Sequence, residues 1–140
     1  MKVLGLNGRE YNLDLKKYIV RENDTKKKSK YHLAARELLK EIFSGYTILE
    51  EVKLPGSRDP VKKSVLFLDF FIPNAMLGIE VHGQQHYEFS KFFHKTKAGF
   101  LKAVARDFIK EDWCNLNEIE LIALKYSDTI DDWREQIDSR

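Results

Sequence analysis

The chain has 140 residues, of which 43% are apolar and 33% are charged, and this length suits about one domain. The apolar fraction excludes a wholly disordered chain, because it is large enough to offset the entropy of ordering. The net charge of +2 selects no class of partner by itself. The longest apolar run, at 65–73, is too short to span a bilayer and contains Asp69. No signal-peptide core follows Met1 and Cys114 is the single cysteine, so we expect no internal disulfide and a cytoplasmic setting.

The first 28 residues predict a β-hairpin followed by a basic linker, and residues 29–140 predict the main domain. Apolar residues alternate on either side of Asn7-Gly8, a pair typical of tight hairpin turns. Residues 21–30 contain no apolar residue and include Lys27 and Lys28. This stretch fits either a solvated linker or a basic arm that contacts phosphates.

The rest of the chain predicts alternating helices and strands. An amphipathic helix is expected at 31–43, ended by Gly45. The elements expected after it are strands at 46–54, 65–73 and 77–82, a helix at 97–113, a strand at 119–126 and a helix at 129–137 with Asp128 as its N-cap. The strand at 65–73 is apolar on both faces, which is typical of a central strand. The order α-β-β-β-α-β-α predicts an α/β fold, in which helices flank a four-stranded mixed sheet.

Two acidic residues lie where a purely structural sequence seldom has them. Asp69 is in the middle of an apolar strand, where an ionised carboxylate is costly unless a cation or hydrogen bonds meet it. Glu80 and His82 share one face of the next strand at a spacing of two. A short turn separates the two strands, so we expect the carboxylates of Asp69 and Glu80 to lie together. Such a pair repels itself unless a divalent cation is bound, and oxygen ligands suit Mg²⁺ or Mn²⁺.

A glycine and a second histidine follow this strand. Gly83 lets the backbone turn out of the sheet, which brings His86 toward the same cleft. His82 alone fits a satisfied interior histidine, but Glu80 beside it and His86 four residues later favour a functional site. An alternative is a zinc site, although the spacing of its ligands does not match a compact motif. Its ligands would be His82, His86, His94 and Cys114.

The segment at 69–87, DFFIPNAMLGIEVHGQQHY, resembles the central hairpin of the PD-(D/E)XK nuclease superfamily, in which an Asp and an acid on the next strand hold the metal. Its pattern is similar to that of very-short-patch-repair-type endonucleases and of EDxHD homing endonucleases. They share an Asp-Phe pair, a turn, an apolar strand ending in His-Gly and a further His. The resemblance covers about residues 29–126. It implies a restriction-endonuclease-like αβββαβα core and a metal-dependent DNA endonuclease of repair, phage or mobile-element type.

The resemblance also implies roles for individual residues. Asp69 would bind the metal, with the backbone carbonyl of Val81 as a second ligand. His82 would take the histidine role of the repair-type branch. Glu80 matches the acid of the wider superfamily, whereas the repair-type enzymes have an apolar residue there. The number of metals therefore stays open between one and two.

Two further catalytic positions follow from the EDxHD pattern. Asp107 on the long helix corresponds to the final Asp and would orient a histidine. The alternative is a solvated acid paired with Arg106 or Lys110. The first Glu should come from the helix at 31–43. We nominate Glu37, and His32 and Glu41 compete with it because they flank the apolar face of that helix.

The expected chemistry is hydrolysis of a phosphodiester by water. His82 would act as general base or acid, and His86 would protonate the leaving oxygen or hold the phosphate. Gln84 and Gln85 either contact the nucleic acid or are ordinary loop amides. The aromatic and basic residues at 87–97 either bind nucleic acid or pack beneath the cleft. Those assigned to binding are Lys91, Phe92, Lys95 and Lys97.

Two other functions compete with a DNA endonuclease. One is a non-catalytic nucleic-acid-binding module on a nuclease fold, and the other is a nuclease specific for junctions or RNA. The expected partner is double-stranded DNA, bound by a monomer or a homodimer. The N-terminal hairpin would serve either as a clamp that contacts DNA or as an edge that mediates dimerisation.

Overall fold

The structure, a computed structural model, describes residues 1–20, 28–83 and 96–140. These residues form an N-terminal hairpin, a four-stranded mixed sheet and three α-helices. The chain therefore has the α/β fold that its sequence predicts. No helix in this part of the chain is long and apolar enough to cross a membrane.

The helices and strands lie within three residues of the predicted bounds. The strands are β1 (Lys2–Leu4), β2 (Glu10–Asn12), β3 (Leu49–Lys53), β4 (Phe67–Ile72), β5 (Leu77–His82) and β6 (Glu120–Lys125). The α-helices are α1 (Lys30–Ile42), α2 (Lys97–Leu116) and α3 (Ile130–Asp138). Single 3-10 turns lie at Leu15–Tyr18 and Pro73–Ala75.

The N-cap predicted for the last helix is wrong by one residue. Thr129, not Asp128, precedes α3, and its hydroxyl accepts a hydrogen bond from the backbone N–H of Asp132. The Asp132 carboxylate in turn accepts from the backbone N–H of Thr129. This reciprocal capping box satisfies two N–H groups at once, which a cap at Asp128 would not do.

The main sheet has the strand order β3-β4-β5-β6. The pairs β3/β4 and β4/β5 are antiparallel, and β5/β6 is parallel. Strand β4 is central, as predicted, and contributes large side chains to both faces: Phe70 packs in one core cluster and Phe71 in the other.

Each face of the sheet is covered by helices. Helices α1 and α3 pack on the first face, where Trp133 is buried and its indole N–H donates to the Lys125 carbonyl at 2.9 Å. Helix α2 packs on the second face through the buried Trp113 and Cys114. Both tryptophans are therefore core residues, as predicted.

The N-terminal hairpin forms as its Asn-Gly turn predicts. Strands β1 and β2 are antiparallel, and Gly8 adopts a φ of 82°, a left-handed conformation that favours glycine. Val3 and Leu13 are buried in the same cluster as Trp113. The hairpin therefore shares its core with α2 and the sheet.

A buried ionic cluster joins α1 to β3. Arg36 donates from Nε to Glu50 Oε2 and from Nη2 to Glu50 Oε1, both at 2.8 Å. The His32 Nε2 atom lies 2.6 Å from Glu50 Oε1, and the imidazole stacks on the ring of Phe70. Burial by itself raises the pKa of Glu50, but the hydrogen bonds from His32 and Arg36 outweigh it and hold the pKa below its usual range. This cluster fixes α1 on the sheet.

We expect Glu50→Ala to lower the free energy of unfolding by about 3–5 kcal/mol at neutral pH, because it leaves the Arg36 charge buried without its partner. Urea denaturation measures this value. Glu37→Ala, an exposed acid on α1, should change it by less than about 0.5 kcal/mol.

The difference in the free energy of unfolding between the native chain and Glu50→Ala depends on pH. Because the pKa of Glu50 is lowered on folding, its stabilising effect is present above the ordinary value of 4.5 and is lost as the pH falls through the lower folded value. The difference between the native chain and Glu50→Ala should therefore shrink in acid. A difference that stays constant down to about pH 3 would contradict this assignment.

Candidate metal centre

Strands β4 and β5 separate at one end of the sheet. Their ladder runs through the pairs Ile72–Leu77, Phe71–Gly78 and Phe70–Ile79 and stops there. Asp69 and Glu80 are the next residues on the two strands. Strand β5 nevertheless continues to His82, because its other edge stays paired with β6 as far as Lys125. The two strands thus form a fork that opens at Asp69 and Glu80.

Two carboxylates occupy this fork. The backbone N–H of Asp69 donates to Glu80 Oε2 at 2.8 Å, and the backbone N–H of Val81 donates to Asp69 Oδ2 at 2.8 Å. Each acid thus accepts the N–H that the interrupted ladder would otherwise leave unpaired. The expectation that Asp69 and Glu80 lie together is confirmed.

The other edge of β4 is irregular at the same residue. The register with β3 passes directly from Glu50–Phe70 to Val52–Leu68 and skips Glu51, whose φ is 51°. This is a left-handed conformation that is uncommon for a residue with a side chain, and such local irregularities recur near functional sites. Asp69 therefore lies at a break in the sheet on both sides.

Helix α2 places a lysine against the acid pair. Lys110 Nζ donates to Glu80 Oε1 at 2.5 Å, and its side chain is 17% exposed. Burial by itself lowers the pKa of Lys110, but the charge of Glu80 and the hydrogen bond to it outweigh this effect and raise the pKa. Lys110 is therefore charged and offsets one of the carboxylates.

A third acid and a histidine complete the cluster. One ligand atom each from Glu80, His82 and Asp107 lies within 4.8 Å of the other two. Glu80 is buried, whereas His82 and Asp107 are partly exposed. Strand β5 brings Glu80 and His82 to one face at a spacing of two, and α2 brings Asp107 one turn before Lys110. We call Asp69, Glu80, His82, Asp107 and Lys110 the acid cluster.

The electrostatics of the cluster favour an added cation. Burial raises the pKa of Asp69 to about 7, and repulsion from the Glu80 carboxylate adds to this effect. The cluster contains three carboxylates and one ammonium group, so one lysine does not balance the acids. A divalent ion would remove this repulsion.

The donor set fits such an ion. Carboxylate oxygens suit Mg²⁺ and Mn²⁺, and Mn²⁺ also accepts an imidazole nitrogen. The carbonyl of Val81, expected as a metal ligand, belongs to the residue whose N–H points to Asp69. In an extended strand, the N–H and C=O of one residue point to the same side. The Val81 carbonyl is thus directed toward the fork.

The acids of α1 do not join the cluster. Glu37, nominated as catalytic, is exposed and its carboxylate lies 3.5 Å from Lys40 Nζ. Its rival Glu41 pairs with Arg134 of α3, and His32 belongs to the Glu50 cluster. Because α1 covers the opposite face of the sheet from α2, none of the three reaches Asp69. The structure therefore brings no residue of α1 to the acid cluster, contrary to the expected placement.

Two of the residues expected to bind nucleic acid, Lys28 and Lys97, lie in the part of the chain that the structure describes. Lys28 pairs with Glu51 at 2.6 Å and its side chain is only 9% exposed, so it is not an open phosphate contact. Lys97 is exposed at the first position of α2. The other residues expected to bind nucleic acid lie outside the described residues: Lys27, Gln84, Gln85, Lys91, Phe92 and Lys95. His86, expected to be catalytic, also lies outside them.

Cys114 is poorly suited to be a ligand of the alternative zinc site. Cys114 is fully buried in the core, and burial, with a smaller effect of Glu80, raises the pKa of its thiol to about 12. A thiol with so high a pKa does not readily supply the thiolate that zinc prefers.

Sequence reasoning missed Lys110. A lysine on a long helix is usually a solvated residue, and its contact with Glu80 depends on how α2 packs. One signal was present: Asp107, Lys110 and Cys114 follow at spacings of three and four, so they share a helix face that ends in a buried residue. Of the two bases considered as partners of Asp107, Arg106 contacts Asp59, whereas Lys110 contacts Glu80 and has its pKa raised by the charge of Asp107 as well.

Comparison with known proteins relates the chain to two viral proteins. It is 36% identical over 75 residues to uncharacterized protein 033L of Invertebrate iridescent virus 3, a match that covers 54% of this chain and 39% of that protein. It is 40% identical over 62 residues to uncharacterized protein 307L of Invertebrate iridescent virus 6, covering 44% of this chain and 32% of the relative. The chain thus spans well under half the length of these relatives. No family model and no solved structure matches.

We expect the native chain to bind Mn²⁺, with an affinity at least about tenfold weaker in Asp107→Asn, because that change removes one charged oxygen ligand. Isothermal titration calorimetry measures the affinity directly. Asp112→Asn removes an exposed carboxylate from the same helix and should leave the affinity unchanged. Equal affinities of the native chain and Asp107→Asn would exclude Asp107 as a ligand.

Proposed function

We propose that the protein is a metal-dependent nuclease that hydrolyses phosphodiester bonds in DNA. The observation that carries this proposal is the grouping of Glu80, His82 and Asp107 within 4.8 Å, at the fork where Asp69 is held. The resemblance of residues 69–87 to the PD-(D/E)XK hairpin supports the same conclusion independently of the geometry. The choice of double-stranded DNA, and of a repair-type or homing-type role, rests on that resemblance.

Burial of the acids argues for a functional site. A buried carboxylate is costly, and two adjacent ones are costlier because their charges repel. The N–H groups of Asp69 and Val81 need an acceptor oxygen at these positions, but a neutral amide would supply it without this penalty. The chain instead retains both acids and adds Asp107 from α2. A cation-binding role accounts for all three.

The acids would hold the cation, and the remaining residues would move the proton. A divalent cation held by these acids would polarise the scissile phosphate and acidify a water molecule. Asp69 is oriented for this role by the Val81 N–H, and Glu80 by the Asp69 N–H. His82 lies beside them with its imidazole partly exposed, so it can take a proton from the attacking water.

Asp107 and Lys110 set the charge around that histidine. A carboxylate near an imidazole favours its protonated form and fixes its orientation, so Asp107 would assist His82 once it accepts a proton. Lys110 donates to Glu80 Oε1 and would add a positive charge close to where the phosphate would bind. Positive charge there stabilises the negative charge that develops on the phosphoryl oxygens.

Cleavage of plasmid DNA and of labelled oligonucleotides with Mg²⁺ or Mn²⁺ tests this proposal. Asp69→Asn is the sharpest variant, because the amide oxygen can still accept the Val81 N–H while the negative charge is lost. We expect its cleavage rate to fall by about 100-fold or more. His82→Ala should lose about 10²–10⁴-fold, the usual contribution of a general base.

Asp112→Asn is the matched control and should cut at the native rate. DNA binding is measured for each variant in EDTA, so that loss of binding is separated from loss of chemistry. Native protein that binds DNA but cuts no substrate with either metal would contradict the nuclease assignment and favour a binding module. Undiminished cutting by Asp69→Asn would remove the acid cluster from the mechanism.

A further inference from the structure

The loop between β3 and β4 is held rigid by two buried polar side chains. Ser57 donates its hydroxyl to the Leu54 carbonyl at 2.6 Å and accepts the Leu66 N–H at 3.0 Å. Asp59 accepts the N–H groups of Val61 and Lys62, both at 2.9 Å. Both side chains are nearly inaccessible to solvent. A loop that is hydrogen-bonded internally in this way presents its outer residues in fixed positions.

Helix α2 and the N-terminal hairpin both contact this loop. Arg106 of α2 lies 3.4 Å from the Asp59 carboxylate. On the other side, the Leu6 N–H of the hairpin turn donates to the Gly56 carbonyl at 3.1 Å. Gly5 and Gly56 pack with their backbones in contact, and a Cβ on either one would collide with the other residue. The hairpin, the loop and α2 thus form one surface.

A cavity of about 620 Å³ lies between these three elements. This volume is in the range of small-molecule sites. Its apolar wall is formed by residues from the hairpin, the loop and α2: Leu6, Pro55, Val65 and Ile109. Arg58 and Lys63 add two positive charges to the lining. The Tyr11 ring and the Asn7 amide complete it, and they are hydrogen-bonded to each other at 2.7 Å.

This cavity lies near the acid cluster. The loop leads into the start of β4, and the acid cluster lies at the end of β5; because these strands are antiparallel, both are at the same end of the sheet. Ile109 lines the cavity, whereas Asp107 and Lys110 of the same helix face the acid cluster. The two places therefore lie on different flanks of α2.

We infer that this cavity binds one nucleotide of the nucleic-acid substrate, with the base against the apolar wall and the phosphate on Arg58 and Lys63. The inference rests on the proposed nuclease function and adds a substrate subsite to it. A base has a flat apolar face that packs on Tyr11 and Ile109, and edge groups that an amide such as Asn7 can recognise. A nucleotide whose base enters a cavity must be unstacked, so the subsite selects single-stranded or distorted DNA next to the cut.

Charge favours a nucleotide over an uncharged ligand. The loop at 57–64 contains three basic residues and one acid, and that acid, Asp59, is buried and engaged by backbone N–H groups. The exposed charge of the loop is therefore positive. Phosphate is the anion that a nucleic acid places next to each base, so this juxtaposition of cations and apolar wall matches one nucleotide unit.

Titration with 2′-deoxyadenosine 5′-monophosphate, followed by ¹H–¹⁵N NMR in EDTA, tests the subsite without any cleavage. We expect shifts of the Asn7, Gly56 and Ser57 amides, and smaller shifts with deoxyadenosine or inorganic phosphate alone. Arg58→Glu/Lys63→Glu should abolish these shifts. The same variant should bind single-stranded oligonucleotides at least about tenfold more weakly. The slope of log K against log[salt] should become smaller in magnitude by about one to two.

Lys16→Glu/Lys40→Glu is the control, since it makes the same change in net charge at exposed positions away from the cavity. It should keep the nucleotide shifts and most of the oligonucleotide affinity. Unchanged ¹H–¹⁵N cross-peaks of residues away from the cavity establish that Arg58→Glu/Lys63→Glu is folded. Equal losses in both double variants, or nucleotide shifts confined to residues outside the cavity, would overturn the inference. Because this assay needs neither metal nor turnover, its failure is distinct from failure of the cleavage assay.

Discussion

The structure depends on how the sheet ends the pairing between β4 and β5. Beyond Phe70 and Ile79 the backbone ladder is replaced by side chains: Glu80 accepts the Asp69 N–H, and Asp69 accepts the Val81 N–H. Buried N–H groups must be paired, so the fork is stable only while positions 69 and 80 each offer an acceptor oxygen. The acids therefore have two tasks, because they pair the backbone and they provide the negative charge of the site.

These tasks conflict in the absence of a cation, and α2 partly resolves the conflict. Burial raises the pKa of Asp69, and repulsion between its carboxylate and that of Glu80 raises it further. Lys110 relieves this repulsion at Glu80, and the packing of Trp113 and Cys114 fixes the helix that carries it. The same helix contacts the loop through Arg106 and Asp59. One rigid helix thus sets the positions of both the acid cluster and the cavity beside the loop.

Much of the fold, and the centre of the site, could be predicted because they depend on local pattern. Alternation of apolar residues defines the strands, and Asp69 and Glu80 are conspicuous because each interrupts such a pattern. The contacts of Lys110 and Glu50 could not be found this way, because they depend on how the helices pack. Lys110 is 30 residues from Glu80 in the sequence, and Glu50 is 14 residues from Arg36. The expected placement of Glu37 at the site was not met for the same reason. The sequence defines the apolar face of α1 but not the face of the sheet that the helix covers. The left-handed conformation of Glu51 has no sequence signal, because glycine or asparagine is usual at such positions.

The central claim is that the fork between β4 and β5 binds a divalent cation. Anomalous diffraction from crystals soaked in MnCl₂, recorded above the manganese absorption edge, locates the ion without reference to activity. The account predicts a peak at the fork, bound by oxygens of Asp69 or Glu80 together with Asp107 or His82. Absence of a peak at the fork, with manganese bound at other surface acids, would contradict the account.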